Sequence, residues 1–312
     1  MNLRNFNPDE DIPALARLVA AIQGGAPDEE MILSQLKSDG HDPARDRWVI
    51  EHPDQPGEFM AQGWIRFQTV QRAIFGGAVL DGWRRQGLGS LLLARAIARA
   101  QELKAGEITV YVDAKDDGAR AFLERNGFGA VGDAWEMHAP GGMSIPAPEF
   151  PTGYFLRTYS ELQHLPTLTA LLNRAYYDLY GHAENFPGTV TVEYVGGQFE
   201  RRPELYPPDG MYILLNMFGK AVGFIRAYRG SVIDAPGIVP EERRNNLHLP
   251  LLLTAMRHLR NQGAEALRLY SCGDIPETIE TYKRSGFSLV ARQIAFERGL
   301  PPGDEASVIP PK

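Results

Sequence analysis

At 312 residues, 44% of them apolar and 23% charged, the chain is long enough for two ordinary domains and has the balance of a globular protein. Its formal net charge of −7 argues against a nucleic-acid partner and leaves room for a neutral or cationic small molecule. A single cysteine, Cys272, excludes an intrachain disulfide and any cysteine-based metal cluster.

The opening MNLRNFNPDEDIP has no basic stretch followed by an apolar run, so no signal peptide is expected. No apolar run approaches the roughly 20 residues that cross a bilayer, so no membrane partner is expected and the expected location is cytoplasmic. Leu3–Phe6 reads as a strand. Ile12, Leu15, Leu18, Val19 and Ile22 recur at helical spacing, and a second helix follows from Asp28 to Leu36. Arg47–Glu51 and Glu58–Phe67 read as paired strands, followed by a strand from Ala73 to Leu80 broken at Gly76-Gly77. A helix from Gly89 carries Leu92, Leu93, Ala96, Ile97 and Ala100 on one face. Then come a strand (Ile108–Val112), a helix (Gly118–Asn126) stopped by Gly127-Phe128, and a strand over Ala130–His138.

The stretch Ala139–Pro151 has four prolines and two glycines and reads as a linker. After it the order repeats: a strand (Tyr154–Thr158), a helix (Leu162–Tyr180), a long variable region, and strands over Met211–Tyr228 and to Val239. A helix (Pro250–Gln262), a strand (Ala266–Tyr270) and a helix (Ile275–Ser285) complete it, and a Pro- and Gly-rich tail, Gly299–Lys312, is expected to be mobile.

The repetition is also literal. Ala61-Gln-Gly63-Trp-Ile65-Arg66 recurs 160 residues on as Ala221-Val-Gly223-Phe-Ile225-Arg226. Arg84-Arg85 and Gly127-Phe128 recur 159 residues on as Arg243-Arg244 and Gly286-Phe287. One α/β unit is therefore present twice, with expected limits 1–138 and 152–298, a linker at 139–151 and a tail at 299–312.

Between Leu80 and the helix from Gly89 lie Arg84, Arg85, Gln86, Gly87 and Leu88, with Ser90 just inside the helix. A helix start offers unpaired N–H groups and about half a positive charge. Glycines there let an anion approach those groups, and arginines add charge and forked donors. The expected ligand is a phosphate or pyrophosphate. No G-K-[ST] ending makes this a nucleotide P-loop, and Leu92 stands where a dinucleotide fingerprint needs its third glycine.

The spacing Arg84-x-x-Gly87-x-Gly89 resembles R/Q-x-x-G-x-G/A, the acyl-CoA signature of the GNAT N-acyltransferase superfamily. With the order of elements and the Gly-Phe ending, the resemblance covers nearly the whole chain as a tandem pair. It implies an α/β fold with a mixed, α+β-type sheet in which two strands splay apart. It implies acetyl-CoA as acyl donor, its pantetheine on the backbone of Ala78, Val79 and Leu80 and its pyrophosphate on Arg84–Ser90. The acceptor it implies is a small-molecule amine or amino group. In the second copy Asn246 and His248 replace Gly87 and Gly89, and Pro250 follows, so the cofactor is expected in the first copy only.

The tyrosine that protonates the departing thiolate in many members falls at Leu123 in the first copy and at Tyr282 in the second. The catalytic acid and base are therefore unassigned, with Glu51, Asp113 and Asp116 as carboxylates near strand ends. Tyr176, Tyr177 and Tyr180, beside Asp178 and His182, read either as an acceptor wall or as helix packing. Seven histidines show no ligand spacing, so no metal is expected. The tandem arrangement also resembles mycothiol synthase, a family whose second copy keeps the active loop, whereas here the first does. The rival reading is a non-catalytic acyl-CoA sensor.

Overall fold

The computed structural model describes residues 2–37, 42–69, 71–185, 188–228 and 230–301. The expected mobile tail lies, beyond position 301, outside the described residues. The chain divides into two compact units. One holds the residues up to Val112, Gly118–Ala130 and those from Ala295 on; the other holds Asp113–Asp117 and Val131–Ile294.

The first half runs β1 (Leu3–Asn5), α1 (Ile12–Gln23), α2 (Glu29–Leu36), α3 (Pro43–Asp46), β2 (Arg47–Glu51), β3 (Phe59–Phe67), β4 (Arg72–Val79), α4 (Leu88–Glu102), β5 (Glu107–Asp113), α5 (Asp117–Arg125) and β6 (Gly129–Pro140). The apolar face of α1, with Leu15 and Leu18, packs with Phe6, Ile32, Val49 and Phe59 into one core cluster. Asp28 starts α2 by accepting the Met31 N–H at 2.9 Å.

The sheet order is β1-β2-β3-β4-β5, antiparallel except for the parallel pair β4–β5. That parallel pairing covers only Arg72, Ala73 and Ile74 against Glu107, Ile108 and Thr109, so the strands part beyond Ile74. The break expected at Gly76-Gly77 does not occur. The strand runs through, and the glycines make room: the Trp64 indole lies on Gly76, and a Cβ at Gly77 would stand 2.9 Å from the Phe75 ring.

The second half continues with β7 (Phe155–Thr158), α6 (Tyr159–Leu162), α7 (Leu165–Tyr176), α8 (Val192–Arg201), β8 (Met211–Leu215), β9 (Ala221–Tyr228), β10 (Val232–Asp234), β11 (Gly237–Ile238), α9 (His248–Asn261), β12 (Ala266–Cys272), α10 (Pro276–Arg284) and β13 (Ser288–Gly299). The helix expected over Leu162–Tyr180 is α7, shorter at both ends, and the separate turn α6 before it ends where Gln163 turns left-handed at φ 44°. Helix α8 fills part of the stretch read as variable, and β13 was not anticipated. The sheet order is β6-β12-β10-β9-β8-β7, with β11 on β9. Its one parallel contact between main strands is again three residues long, Val232–Asp234 on Arg268–Tyr270.

Equivalent contacts recur inside each unit. A Cβ at Gly63 would stand 3.1 Å from Leu92, and one at Gly223 would stand 3.0 Å from Leu251. Phe128 N–H donates to Leu123 at 3.1 Å, and Phe287 N–H donates to Tyr282 at 3.2 Å. The duplication read from sequence offsets is thus a duplication of packing.

The units differ from the limits drawn on sequence, because each takes a strand from the other half of the chain. Ala134–Pro140 of β6 pairs with Ala266–Cys272 of β12, inside the second unit. From Ala295 on, β13 belongs to the first unit: Glu297 reaches Arg72 at 3.5 Å, and Leu300 N–H donates to Gly106 at 2.8 Å. The stretch read as a linker starts as strand at Ala139 and Pro140. It then runs irregularly over α9, where Arg257 and Arg260 donate to the carbonyls of Ile145 and Met143. Among the described residues no helix is long and apolar enough to cross a membrane.

Candidate acyl-CoA site

Beyond β4, residues Asp81–Trp83 form one 3-10 turn, and Arg85 and Gly87 take left-handed conformations at φ 64° and 85°. The chain then enters α4. Gly87 supplies a backbone geometry that side chains resist. Gly89 has ordinary helical geometry, and a Cβ there would stand 3.6 Å from Phe122, an ordinary contact. Packing within the protein therefore does not require glycine at 89.

Arg84 N–H donates to Asp81 and Leu91 N–H to Gly87. Between them, among the described residues, no backbone N–H from Arg85 to Ser90 donates to another protein group. Arg84 Nε donates to the Val79 carbonyl at 3.3 Å and pairs with Asp81 at 3.0 Å, both side chains being well exposed. Gln86 ties to Gly82 at 3.3 Å, and Trp83 meets His52 edge-on at 5.2 Å. The result is a braced loop presenting a row of free donors under two arginines. Ala78, Val79 and Leu80, where β4 has left β5, are half-exposed.

The second unit has the same skeleton with its openings filled. Arg243 Nε donates to Ile238 at 3.0 Å, as Arg84 does to Val79. Its two Nη atoms are held by Asp178 at 2.6 Å each. Asn246 keeps the left-handed turn at φ 55°, a conformation asparagine tolerates. His248 takes the place of Gly89, and burial, with Arg243 nearby, pushes its pKa down to about 4. Tyr176 donates to the Ala235 carbonyl at 3.1 Å, and its ring lies on Gly237. The backbone that in the first unit is half-exposed is here covered by a side chain. Tyr176 also stacks on His182 at 4.5 Å, so this tyrosine, read from sequence as either wall or packing, is packing. Tyr177 beside it is exposed. No local signal separates a tyrosine that fills a slot from one that packs a helix.

Leu123 is 2% exposed and sits in the first unit's core, where it has no proton to give. Tyr282 is fully buried and donates to Asp274 at 2.7 Å, which also accepts from Ser271 at 2.6 Å. Burial and the neighbouring carboxyl raise the Tyr282 pKa well above the ordinary phenol value. Glu51 is held by Arg4 at 2.7 Å and Asn2 at 2.9 Å, and these bonds lower its pKa, making it a poor base. Asp113 accepts the Lys115 N–H at 2.8 Å in an exposed turn. Asp113 and Asp116 both group with the second unit. Burial raises the Cys272 thiol to about 11, which leaves little thiolate. Among the described residues no group of three or more His, Cys, Asp or Glu is placed to hold a metal ion.

The model of the acetyltransferase (GNAT) family matches residues 14–128, the span of the first loop and its sheet. A mycothiol acetyltransferase of Thermobispora bispora is 28% identical over 304 residues, covering 93% of this chain and 95% of its own. Another, of Saccharomonospora viridis, is 25% identical over 69% of this chain and 71% of its own. A GCN5-related N-acetyltransferase structure from Sphaerobacter thermophilus aligns with a TM-score of 0.78 at 22% identity, covering 97% and 96% of the two chains. A tandem GNAT protein from the clavulanic acid biosynthesis pathway aligns with a TM-score of 0.66 at 17% identity, covering 97% and 99%.

Fold and family match together place the chain among tandem proteins of acetyltransferase (GNAT) type. Residues 14–128 match the acetyltransferase (GNAT) family, and the solved structures give the whole chain the fold of tandem GNAT proteins.

Proposed function

We propose that the first unit alone carries out the transfer, moving the acetyl group of acetyl-CoA to the amine of a small molecule. The observation that carries this is the unequal state of the two loops. Backbone N–H groups of Arg85–Ser90 have no protein acceptor among the described residues, whereas Arg243 is engaged by Asp178 and the strand before it is covered by Tyr176. In this reading Arg84, Arg85, Gln86, Gly87, Leu88, Gly89 and Ser90 hold the pyrophosphate. The backbone of Ala78, Val79 and Leu80 aligns the pantetheine and polarises the thioester carbonyl.

The bound donor supplies an activated acyl carbon. The acceptor nitrogen attacks that carbon, a C–N bond forms and the C–S bond breaks. The electron pair leaves on sulfur, and the nitrogen's proton passes to water. Leu123 offers no acid, so the thiolate departs unassisted and takes its proton from solvent. We place the enzyme in the cytoplasm, where acetyl-CoA is available, and we include the amine precursors of mycothiol among the acceptors to test, because of the relatives' name.

Purified protein given acetyl-CoA and a panel of amines should release CoA thiol with at least one of them. Tight CoA binding without release over the whole panel would replace this reading with the sensor. The leucine at position 123 is what keeps that second reading in view.

A further inference from the structure

Arg47 opens β2, yet it is 4% exposed. Its Nη1 donates to Gln62 Oε1 at 3.0 Å, and its guanidinium lies 5.9 Å from the Phe6 ring centre. Its Nε is buried without a partner, and among the described residues no carboxylate is within ion-pairing distance. The nearby acids are committed elsewhere: Asp46 pairs with Arg99 at 2.8 Å, and Glu51 and Asp11 pair with Arg4. Burial alone lowers the Arg47 pKa to about 10. A buried cation without a counter-charge is costly, and a fold does not keep one for packing.

The second unit shows that the fold needs no charge here. Arg47 stands opposite Trp64 in β3, and in the repeat Ile213 stands opposite Phe224. Gln62 corresponds to Val222. Ile213 and Val222 are each 1% exposed in an apolar core. One copy thus carries a polar pair where its twin carries two core aliphatics.

The register places this pair beside the proposed donor strand. Across β2, β3 and β4 the row Val49–Gln62–Ala78 lies next to the row Arg47–Trp64–Gly76, on one face of the sheet. One strand spacing, about 4.8 Å, separates Gln62 from Ala78. Ala78 and Leu80 are half-exposed, so this face is open at its β4 end and closes toward Arg47.

We infer that Arg47, oriented by Gln62, recognises a carboxylate on the acceptor, so that the substrates are amine-bearing carboxylic acids such as amino acids. This rests on the first unit being the transferase. With Nη1 held by Gln62, the Nε–Nη2 edge is left for a planar carboxylate, which it matches with two parallel hydrogen bonds. A phosphate dianion would bring a second negative charge into the same dry place, against the single charge of one guanidinium.

The test pairs amino acids with their carboxamides, which differ only in the charge being read. Transfer is followed as CoA thiol, and equilibrium binding of the same compounds is measured with CoA present. Wild type should favour the acids by about 10- to 100-fold in kcat/KM or in Kd. The double variant Arg47→Ile/Gln62→Val copies the second unit. It should fold, bind acetyl-CoA as wild type does and lose the preference. Equal response to acid and amide in wild type, including binding of neither, overturns the inference, as does a preference that survives the double variant. Failure of wild type to bind acetyl-CoA would instead overturn the transferase reading.

Discussion

The ring of Tyr176 rests on the α-carbon of Gly237, and its hydroxyl donates to the carbonyl of Ala235 at 3.1 Å. These residues mark a strand edge whose counterpart in the first unit, Ala78–Leu80, is half-exposed. A methyl group at 237 would overlap the ring. Gly237→Ala should therefore destabilise the second unit by about 1–3 kcal/mol. Adding Tyr176→Ala should remove most of that increment relative to Tyr176→Ala alone. Thermal melts of the four proteins check this; additive losses would show that the ring is not what excludes the methyl.

Gly89 and His248 occupy equivalent places, one without a side chain and the other filled by an imidazole. Gly89→Trp should abolish acetyl-CoA binding while leaving the far-UV spectrum unchanged, because its Cβ meets nothing closer than Phe122 at 3.6 Å. His248→Trp should leave binding as it is. Calorimetric titration of both variants decides the matter, and equal loss in both would place a working site in each unit.

Tyr282, its ring fully buried, spends its proton on Asp274 at 2.7 Å. Tyr282→Phe should lower stability by about 1–3 kcal/mol, since a buried carboxyl loses a donor. The rate of acetyl transfer and its pH profile should not change. A tenfold fall in kcat at constant stability would make this phenol the acid and contradict the assignment to the first unit.

Asp178 is held in its charged form by Arg243, which lowers its pKa below the usual aspartate value. A carboxyl depressed in the folded state adds stability above its unfolded pKa and loses it as pH falls through the folded one. Wild type should thus be more stable than Asp178→Asn near neutral pH. The gap should close as the pH is taken below the ordinary aspartate range. Melting curves from pH 7 down to pH 2.5 test this, and a gap independent of pH would mean the pair contributes by shape alone.

Much of the candidate site was legible because its signals are local. The Arg84, Gly87 and Gly89 spacing needs only a turn and a helix start, and both are set by neighbours within a few residues. The repeat offsets likewise located equivalent strands and the equivalent Gly-Phe stops. What closed the second loop was not local. Asp178 and Arg243 are 65 residues apart, and so were not joined by any spacing rule. The charge at Arg47 carried a signal that went unread: an arginine begins Arg47-Trp-Val-Ile-Glu51 where the twin strand, Met211-Tyr-Ile-Leu-Leu215, is apolar.

Sequence by itself determined the duplicated unit, the order of its elements and the glycine-bearing turn that opens a helix after Arg84, since periodicity, turn chemistry and capping act over short stretches. Only the tertiary structure decided which half each closing strand would complete, with β6 taken by the second unit and the end of β13 by the first. Which edge a strand completes is decided by long-range pairing, which no local pattern specifies. The same holds for Arg47: a cation is ordinary in a sequence and becomes informative only once burial has removed its water and left its Nε without a partner.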